Sequence, residues 1–139
     1  MSKPVAILVH EDYQDLELWY PLLRLREEGK AVSVISAEPN KTYMSKLEYP
    51  VIADHGIDEV KGADFGAVLI VGGRSAKIIA EEPRMQRFIK DAAASGALLG
   101  AMSEGAAAFA AAGTTPKLVA KSTDQLPEFC RSLFQALGK

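Results

Sequence analysis

Short apolar runs alternate with stretches of helical spacing along most of the chain. The apolar runs predict buried strands at Val5–Val9, Ala31–Ser36, Phe65–Val71, Ala97–Met102 and Leu118–Lys121. Helical spacing predicts helices over Asp15–Glu28, Pro83–Ala94, Glu104–Ala112 and Asp124–Leu137. Between the second and third strands lie a polar excursion, Glu38–Tyr49, and a partly extended segment, Val51–Val60.

This alternation predicts an α/β fold. Strands that alternate with helices through short loops form a mostly parallel sheet with helices on both faces, a flavodoxin-like three-layer sandwich. The sequence has no internal repeat, low-complexity tract or linker, so residues 1–139 are expected to form one domain. In such a fold the functional crevice lies at the C-terminal ends of the strands.

Composition narrows the range of partners and compartments. The chain is 48% hydrophobic and carries a net charge of −2, which provides no basic surface for nucleic acid or for membranes. Cys130 is the single cysteine, so no internal disulfide forms, and no metal-ligand spacing exists with His10 and His55; neither a metal nor a cofactor is expected. The first residues, MSKPVAILVH, lack the layout of a signal peptide, and a cytoplasmic location is expected.

The stretch Ala97–Gly113, ALLGAMSEGAAAFAAAG, carries the strongest chemical signal. An apolar strand stops at Ser103 and a small-residue helix starts at once, so Ala101–Gly105 differs by one methyl group from the G-x-S-x-G nucleophile elbow. In that turn the central side chain projects upward while backbone N–H groups point at the same place. A tight strand-to-helix turn without chemistry explains the same pattern.

Other informative residues follow the predicted strands and should share one mouth with Ser103. Gly72, Gly73 and the N–H of Glu104 can supply the backbone donors of an oxyanion site, although a turn with unusual backbone angles also explains the two glycines. His10 is a possible base for Ser103, or a strand-end histidine without a catalytic role. Arg74 can bind an anion or remain a solvated charge.

Several segments together resemble the ThiJ/PfpI family, a branch of the class I glutamine amidotransferase-like fold. They are VAILVHEDYQDLELWYPLLRLREEGKAVSVIS, YPVIADHGIDEV, FGAVLIVGGRSAK, the Ser103 turn and STDQLPEFCRSLFQAL. Members of this family are small α/β domains, usually dimers or larger assemblies, described as intracellular proteases, deglycases, glyoxalases and stress chaperones. The resemblance implies the fold derived above.

The resemblance also implies that catalytic groups have been lost. The family elbow holds cysteine followed by histidine, as in A-I-C-H-G, where this chain has Ser103 and Glu104. Protease-type members place a glutamate where this chain has Lys77. The family glutamate that contacts the cysteine is matched by Glu17, and an acidic position before it is matched by Gln14.

The resemblance has two consequences for shape and assembly. Only four residues separate Gly113 from Leu118, where the family inserts roughly a strand, a helix and a hairpin, so the crevice should be shallower. Trp19, Tyr20 and Leu23 provide apolar area on a helix that family members use at subunit contacts. We therefore expect a homodimer or a larger homo-oligomer.

The sequence favours a degenerate ThiJ/PfpI-like protein with a binding, regulatory or stress-related role, whose crevice takes a small carbonyl or anionic ligand. The alternative is a small hydrolase or deglycase-like enzyme in which Ser103 is the nucleophile and His10 or Glu17 is the base. A third possibility is a protein with only residual function. Glu17 is expected to accept a hydrogen bond from Ser103, and the Glu104 side chain is expected to point away from it.

Overall fold

The computed structural model describes residues 3–138, which form eight strands and five helices. The strands are β1 (Val5–Leu8), β2 (Val32–Ser36), β3 (Thr42–Met44), β4 (Pro50–Ile52), β5 (His55–Gly56), β6 (Ala67–Ile70), β7 (Leu98–Met102) and β8 (Leu118–Ala120). The helices are α1 (Asp15–Glu27), α2 (Arg74–Ala80), α3 (Pro83–Ala94), α4 (Gly105–Ala111) and α5 (Leu126–Leu137). Three 3₁₀ turns, Ile57–Glu59, Gly62–Asp64 and Thr123–Gln125, complete the regular structure.

Six strands form one sheet in the order β5-β2-β1-β6-β7-β8, and every neighbouring pair is parallel. Side chains from α1 and α5 pack on one face, and side chains from α2, α3 and α4 pack on the other. The predicted α/β class and three-layer arrangement are therefore confirmed.

The central strands are buried on both faces, which explains their unbroken apolar runs. All four residues of β1 are buried. Val5 and Ile7 join the core beneath α1 and α5, while Ala6 and Leu8 join the core on the opposite face. Successive side chains of a strand point to opposite faces of the sheet. Because helices cover both faces here, no side chain of a central strand faces solvent, and apolar residues occupy every position.

One helix, α2, and three short strands, β3, β4 and β5, were not predicted. Helix α2 follows the two glycines directly, and its buried residues Ser75, Ala76 and Ile79 show helical spacing over only seven residues. The antiparallel pair β3–β4 lies within the segments expected to be a polar excursion and a partly extended stretch. Each of its strands has three residues, too few for alternation to stand out.

The region of α1 and β3–β4 exposes several large apolar side chains. Leu16 and Leu23 on α1 are both more than half exposed, as are Leu47 and Tyr49 near the β3–β4 turn. Trp19 is half-buried, and its Nε1 donates to the Tyr13 hydroxyl at 3.2 Å. Among residues 3–138 we find no helix with the length and apolar character needed to cross a membrane.

Helix α4 lies unusually close to strand β6. A Cβ added at Gly105 would collide with the backbone carbonyl of Ile70, which is not the end of a flexible side chain. Because this first helical position has no side chain, α4 can begin directly against the sheet, with only two residues between it and the end of β7. Gly105 thus helps to set the position of the turn at Ser103.

We predict that Gly105→Ala destabilises the protein by about 1–3 kcal/mol, because the backbone must shift to admit the methyl group. A glycine-to-alanine change in an unobstructed helix stabilises by about 0.4–1 kcal/mol instead, so the sign is diagnostic. Urea unfolding of the wild type and the variant measures the change in the free energy of unfolding. An increase in the free energy of unfolding would show that α4 does not rest on β6 at this point.

Candidate active site

The ends of β1, β6 and β7 bring three loops together at one edge of the sheet. The loop after β1 contacts the loop after β6, where the Gln14 N–H donates to the Gly72 carbonyl at 3.2 Å. Tyr13 and Gly73 also form an isolated antiparallel bridge. The loop after β7 contributes Ser103, so parallel strands deliver the predicted mouth at their C-terminal ends.

Ser103 lies in a left-handed turn between β7 and α4, with φ of +44°. Its N–H donates to the Ala120 carbonyl at 2.7 Å, which continues the pairing between β7 and β8 past the end of the strand. A residue with a side chain is disfavoured by about 1–2 kcal/mol in this region. The surrounding sheet and α4 therefore hold the serine in a strained conformation.

Glu17 on α1 is the buried acid of the site, with only 2% of its surface exposed. The Gly72 N–H donates to Oε1 of Glu17 at 2.8 Å, and the Ser103 hydroxyl donates to Oε2. Burial raises the pKa of the Glu17 carboxyl, and the hydrogen bonds from Ser103 and Gly72 oppose that rise. The structure therefore contains the expected hydrogen bond between Glu17 and Ser103.

The Glu104 side chain turns back into the site, so the expectation that it points away is wrong. The Gly73 N–H donates to Oε1 of Glu104 at 2.8 Å. This bond, followed by one from Glu104's own N–H, lowers the pKa of the carboxyl, and the Ser103 hydroxyl and the Lys46 charge act in the same direction. The flexible glutamate side chain can reach a donor that its backbone position does not suggest.

Two of the three candidate oxyanion donors are engaged by carboxylates of the chain itself. The Gly72 N–H is bound to Glu17 and the Gly73 N–H to Glu104. Oxyanion stabilisation requires donors aimed at the position where the charge develops on the substrate. In this conformation these donors are occupied before any substrate enters.

Gly72 shows how tightly the site is packed. A Cβ at this position would lie 2.6 Å from the Ser103 Oγ and 2.6 Å from Oε1 of Glu104, and at similar range from Oε1 of Glu17. The three oxygens therefore converge on one point beside the Gly72 backbone. A side chain at position 72 would separate the groups that the strand ends bring together.

The structure does not join His10 to this cluster. Its Nδ1 accepts a hydrogen bond from the Glu11 N–H at 2.8 Å, and its ring contacts Tyr43 edge to face with centroids 5.1 Å apart. No hydrogen bond between His10 and Ser103 occurs within residues 3–138. Burial lowers the pKa of His10, and the nearby Lys41 charge adds to this effect.

The remaining candidate residues, Arg74, Lys77 and Cys130, are not hydrogen-bonded to Ser103, Glu17 or Glu104 in the part of the chain that the structure describes. Arg74 is paired with Asp12, with Nε 3.1 Å from Oδ2, in an exposed ion pair. Lys77 is exposed on α2. The interpretation of Cys130 as a buried thiol is confirmed, and burial raises its pKa to about 11, far from the range of a reactive thiolate.

Lys46 is a charged residue whose position near the candidate site the sequence did not reveal. It belongs to the turn between β3 and β4, which is held against the β1 loop by the Lys46 N–H to the Tyr13 carbonyl and the Asp12 N–H to the Met44 carbonyl, both at 2.8 Å. Its charge helps to lower the pKa of Glu104. Nothing in the local pattern marks Lys46, because its position depends on how the hairpin docks.

The sequence of this chain matches the model of a known protein family. The model of the DJ-1/PfpI family, also called ThiJ/PfpI, matches residues 3–126. The chain belongs to the DJ-1/PfpI family. The resemblance seen in the sequence is thereby confirmed at the level of the family.

Individual DJ-1/PfpI proteins show how far the similarity extends. Protein/nucleic acid deglycase 2 of Escherichia coli is 35% identical over 97 residues, 69% of this chain and 56% of that protein. A deglycase of Thermococcus kodakarensis is 41% identical over 75 residues, 54% of this chain and 45% of that protein. The chain spans about half the length of the curated relatives it matches.

The solved structure of oxidised Toxoplasma gondii DJ-1 shares the fold. It superposes with a TM-score of 0.89 at 19% identity, covering 99% of this chain and 91% of that one. At this level of identity the likeness concerns the arrangement of the sheet and helices alone. It supports the confirmed α/β architecture of this DJ-1/PfpI chain.

The strain at Ser103 can be measured with two variants that both lack the hydroxyl. We predict that Ser103→Gly is more stable than Ser103→Ala by about 1 kcal/mol, because glycine adopts φ of +44° without steric cost. Thermal unfolding of the pair, recorded in the same buffer, gives the difference. If the alanine variant were the more stable one, the turn would not be held in the left-handed region, since glycine otherwise loses more entropy on folding.

Proposed function

We propose that this chain is a catalytically degenerate member of the DJ-1/PfpI family with a binding, regulatory or stress-related role. In this proposal the crevice at Ser103 holds a small carbonyl or anionic ligand and does not turn it over. The observation that carries the proposal is the pair of hydrogen bonds from Gly72 and Gly73 to Glu17 and Glu104. They occupy the donors that acyl-transfer chemistry would require.

The electrostatics around Ser103 also oppose its use as a nucleophile. A serine hydroxyl must lose its proton to a base within hydrogen-bond reach. The lowered pKa of Glu104 makes it a weaker base. Burial raises the pKa of Glu17, which would strengthen it as a base, but both of its carboxyl oxygens already accept hydrogen bonds, from Gly72 and Ser103. A negative charge developing on the Ser103 oxygen would also be repelled by the Glu104 carboxylate.

The residue identities fit the same proposal. Ser103 and Glu104 replace the cysteine and histidine that the family resemblance implies, and Lys77 replaces an orienting carboxylate. The link between α4 and β8 is short, with Gly113 and Leu118 separated by four residues. We propose that this shortening leaves the mouth more open to water than in longer relatives, which weakens electrostatic stabilisation of a transition state.

The alternative is a deglycase-like or hydrolytic enzyme that uses Ser103. Two observations favour it: similar proteins from Escherichia coli and Thermococcus kodakarensis carry the name deglycase, and Ser103 has the strained φ of +44° found at many reactive turns. It would require Glu104 to withdraw from Gly73, so that this N–H becomes free for an oxyanion.

The proposal predicts that the purified protein converts methylglyoxal, removes glycation adducts and cleaves peptides at background rates only. Loss of several members of a catalytic unit leaves only the residual contribution of binding contacts. Assays of the wild type beside Ser103→Ala measure this, and the two proteins are expected to be indistinguishable. Turnover well above background that disappears in Ser103→Ala would establish the enzymatic alternative instead.

Two further variants locate any activity that appears. Activity that survives Ser103→Ala and disappears in His10→Ala would put the chemistry elsewhere in the crevice. The double variant Ser103→Cys with Glu104→His should regain little activity, because Lys77 cannot orient a histidine as a carboxylate does. Robust activity in that double variant would contradict the proposal that the site is degenerate beyond the turn.

A further inference from the structure

Glu104 makes an unusual contact for an exposed residue beside a candidate active site. Its carboxylate is held by the Gly73 N–H at 2.8 Å, and both its Oε1 and the Ser103 Oγ lie against the Gly72 backbone. A backbone N–H that bonds to this carboxylate can bond to a carboxylate from another source. In the wild-type protein the chain supplies the carboxylate itself.

Gly73, which holds the Glu104 carboxylate, and Ser103 beside it are positioned by bonds that do not involve Glu104. Gly73 follows Gly72, whose N–H is bound to buried Glu17 and whose carbonyl accepts from Gln14. Ser103 is tied through its N–H to Ala120. Removing the Glu104 side chain should therefore leave the donors in place instead of collapsing the loops.

We infer that Glu104 is a tethered self-ligand: its carboxylate occupies a subsite for small carboxylates at the Gly73 N–H, beside Ser103, and excludes free anions. The inference rests on the proposed function only in treating the crevice as a binding site. A tethered group acts at an effective concentration in the millimolar range or above, so a free carboxylate must exceed that level to displace it. Access to the subsite is thus regulated by the position of one side chain.

Acetate is the probe that fits this geometry. Truncation of Glu104 to alanine removes two carbons and two carboxylate oxygens, and acetate contains the same set of heavy atoms. In Glu104→Ala we expect acetate to shift the Gly73 amide resonance in a saturable manner, measured by ¹H–¹⁵N NMR. Wild-type protein should need at least about tenfold more acetate for the same shift, because its own carboxylate competes.

The Glu104→Gln variant tests whether acetate is excluded because the Gly73 N–H is already bound or because the negative charge of Glu104 repels it. The glutamine oxygen can still accept from Gly73 although the side chain is neutral, so this variant should bind acetate at least about tenfold more weakly than Glu104→Ala. Equal binding by the two variants would show that charge alone excludes acetate, and would overturn the inference. Glu81→Ala removes an exposed carboxylate that follows α2 and should behave as wild type.

The outcomes also distinguish this inference from the proposed function. An unmoved Gly73 amide in folded Glu104→Ala would overturn the self-ligand, whatever the wild-type protein does in turnover assays. Acetate binding by Glu104→Ala, together with methylglyoxal turnover by the wild type, would support the self-ligand and contradict the degenerate function. The amide spectrum itself reports whether each variant is folded.

Discussion

A buried carboxyl group must find hydrogen-bond partners, and this requirement at Glu17 organises the mouth of the sheet. The carboxyl comes from α1, and its partners come from the end of β6, through the Gly72 N–H, and from the end of β7, through the Ser103 hydroxyl. An unpaired buried polar group costs several kcal/mol, on the order of 2–7 by transfer measurements. Satisfying Glu17 therefore fixes the relative positions of a helix and two strand ends.

A second carboxyl group, that of Glu104, lies at the same place, and its pKa is moved in the opposite direction. Burial raises the pKa of Glu17, while the Gly73 N–H lowers that of Glu104. The Ser103 hydroxyl donates to Oε2 of Glu17 and is therefore committed to a structural bond.

The two shifts affect stability in opposite directions. Glu104 contributes stability that is present above its unfolded pKa and is lost as the pH falls through its lowered folded pKa. Glu17 contributes stability that is present below its unfolded pKa and is lost as the pH rises through its raised folded pKa. Between the two folded values the network holds one proton and one charge.

The fold could be predicted because the burial of each central strand is visible in the strand's own residues. An unbroken apolar run such as the one in β6 arises when both faces of a strand are covered, and it is visible without knowledge of the partners. The turn at Ser103 was visible for a similar reason, since a strand and a helix with small residues meet there. Helix α3 was predicted with the bounds that the structure has, because Pro83 and an amphipathic pattern mark it.

The chemistry of the site could be predicted only in part, because it depends on side chains brought together from distant elements. The contact between Glu17 and Ser103 was expected, but the position of the Glu104 carboxylate depends on a rotamer and on a free Gly73 N–H. The position of Lys46 depends on the β3–β4 hairpin, whose three-residue strands are too short to show a clear alternation of apolar and polar residues. Both positions result from contacts between residues far apart in the sequence, whereas hydrophobic periodicity reports only on local structure.

Glu17 and Glu104 together occupy two backbone donors beside Ser103, and their pKa values move in opposite directions. Carboxyl ¹³C NMR titration of the two glutamates tests this claim most directly, with the single Gln variants used for assignment. Glu17 is expected to titrate above the ordinary glutamate pKa of about 4.3, and Glu104 below it. Titration of both carboxyls together near the ordinary value, or in the reverse order, would contradict it.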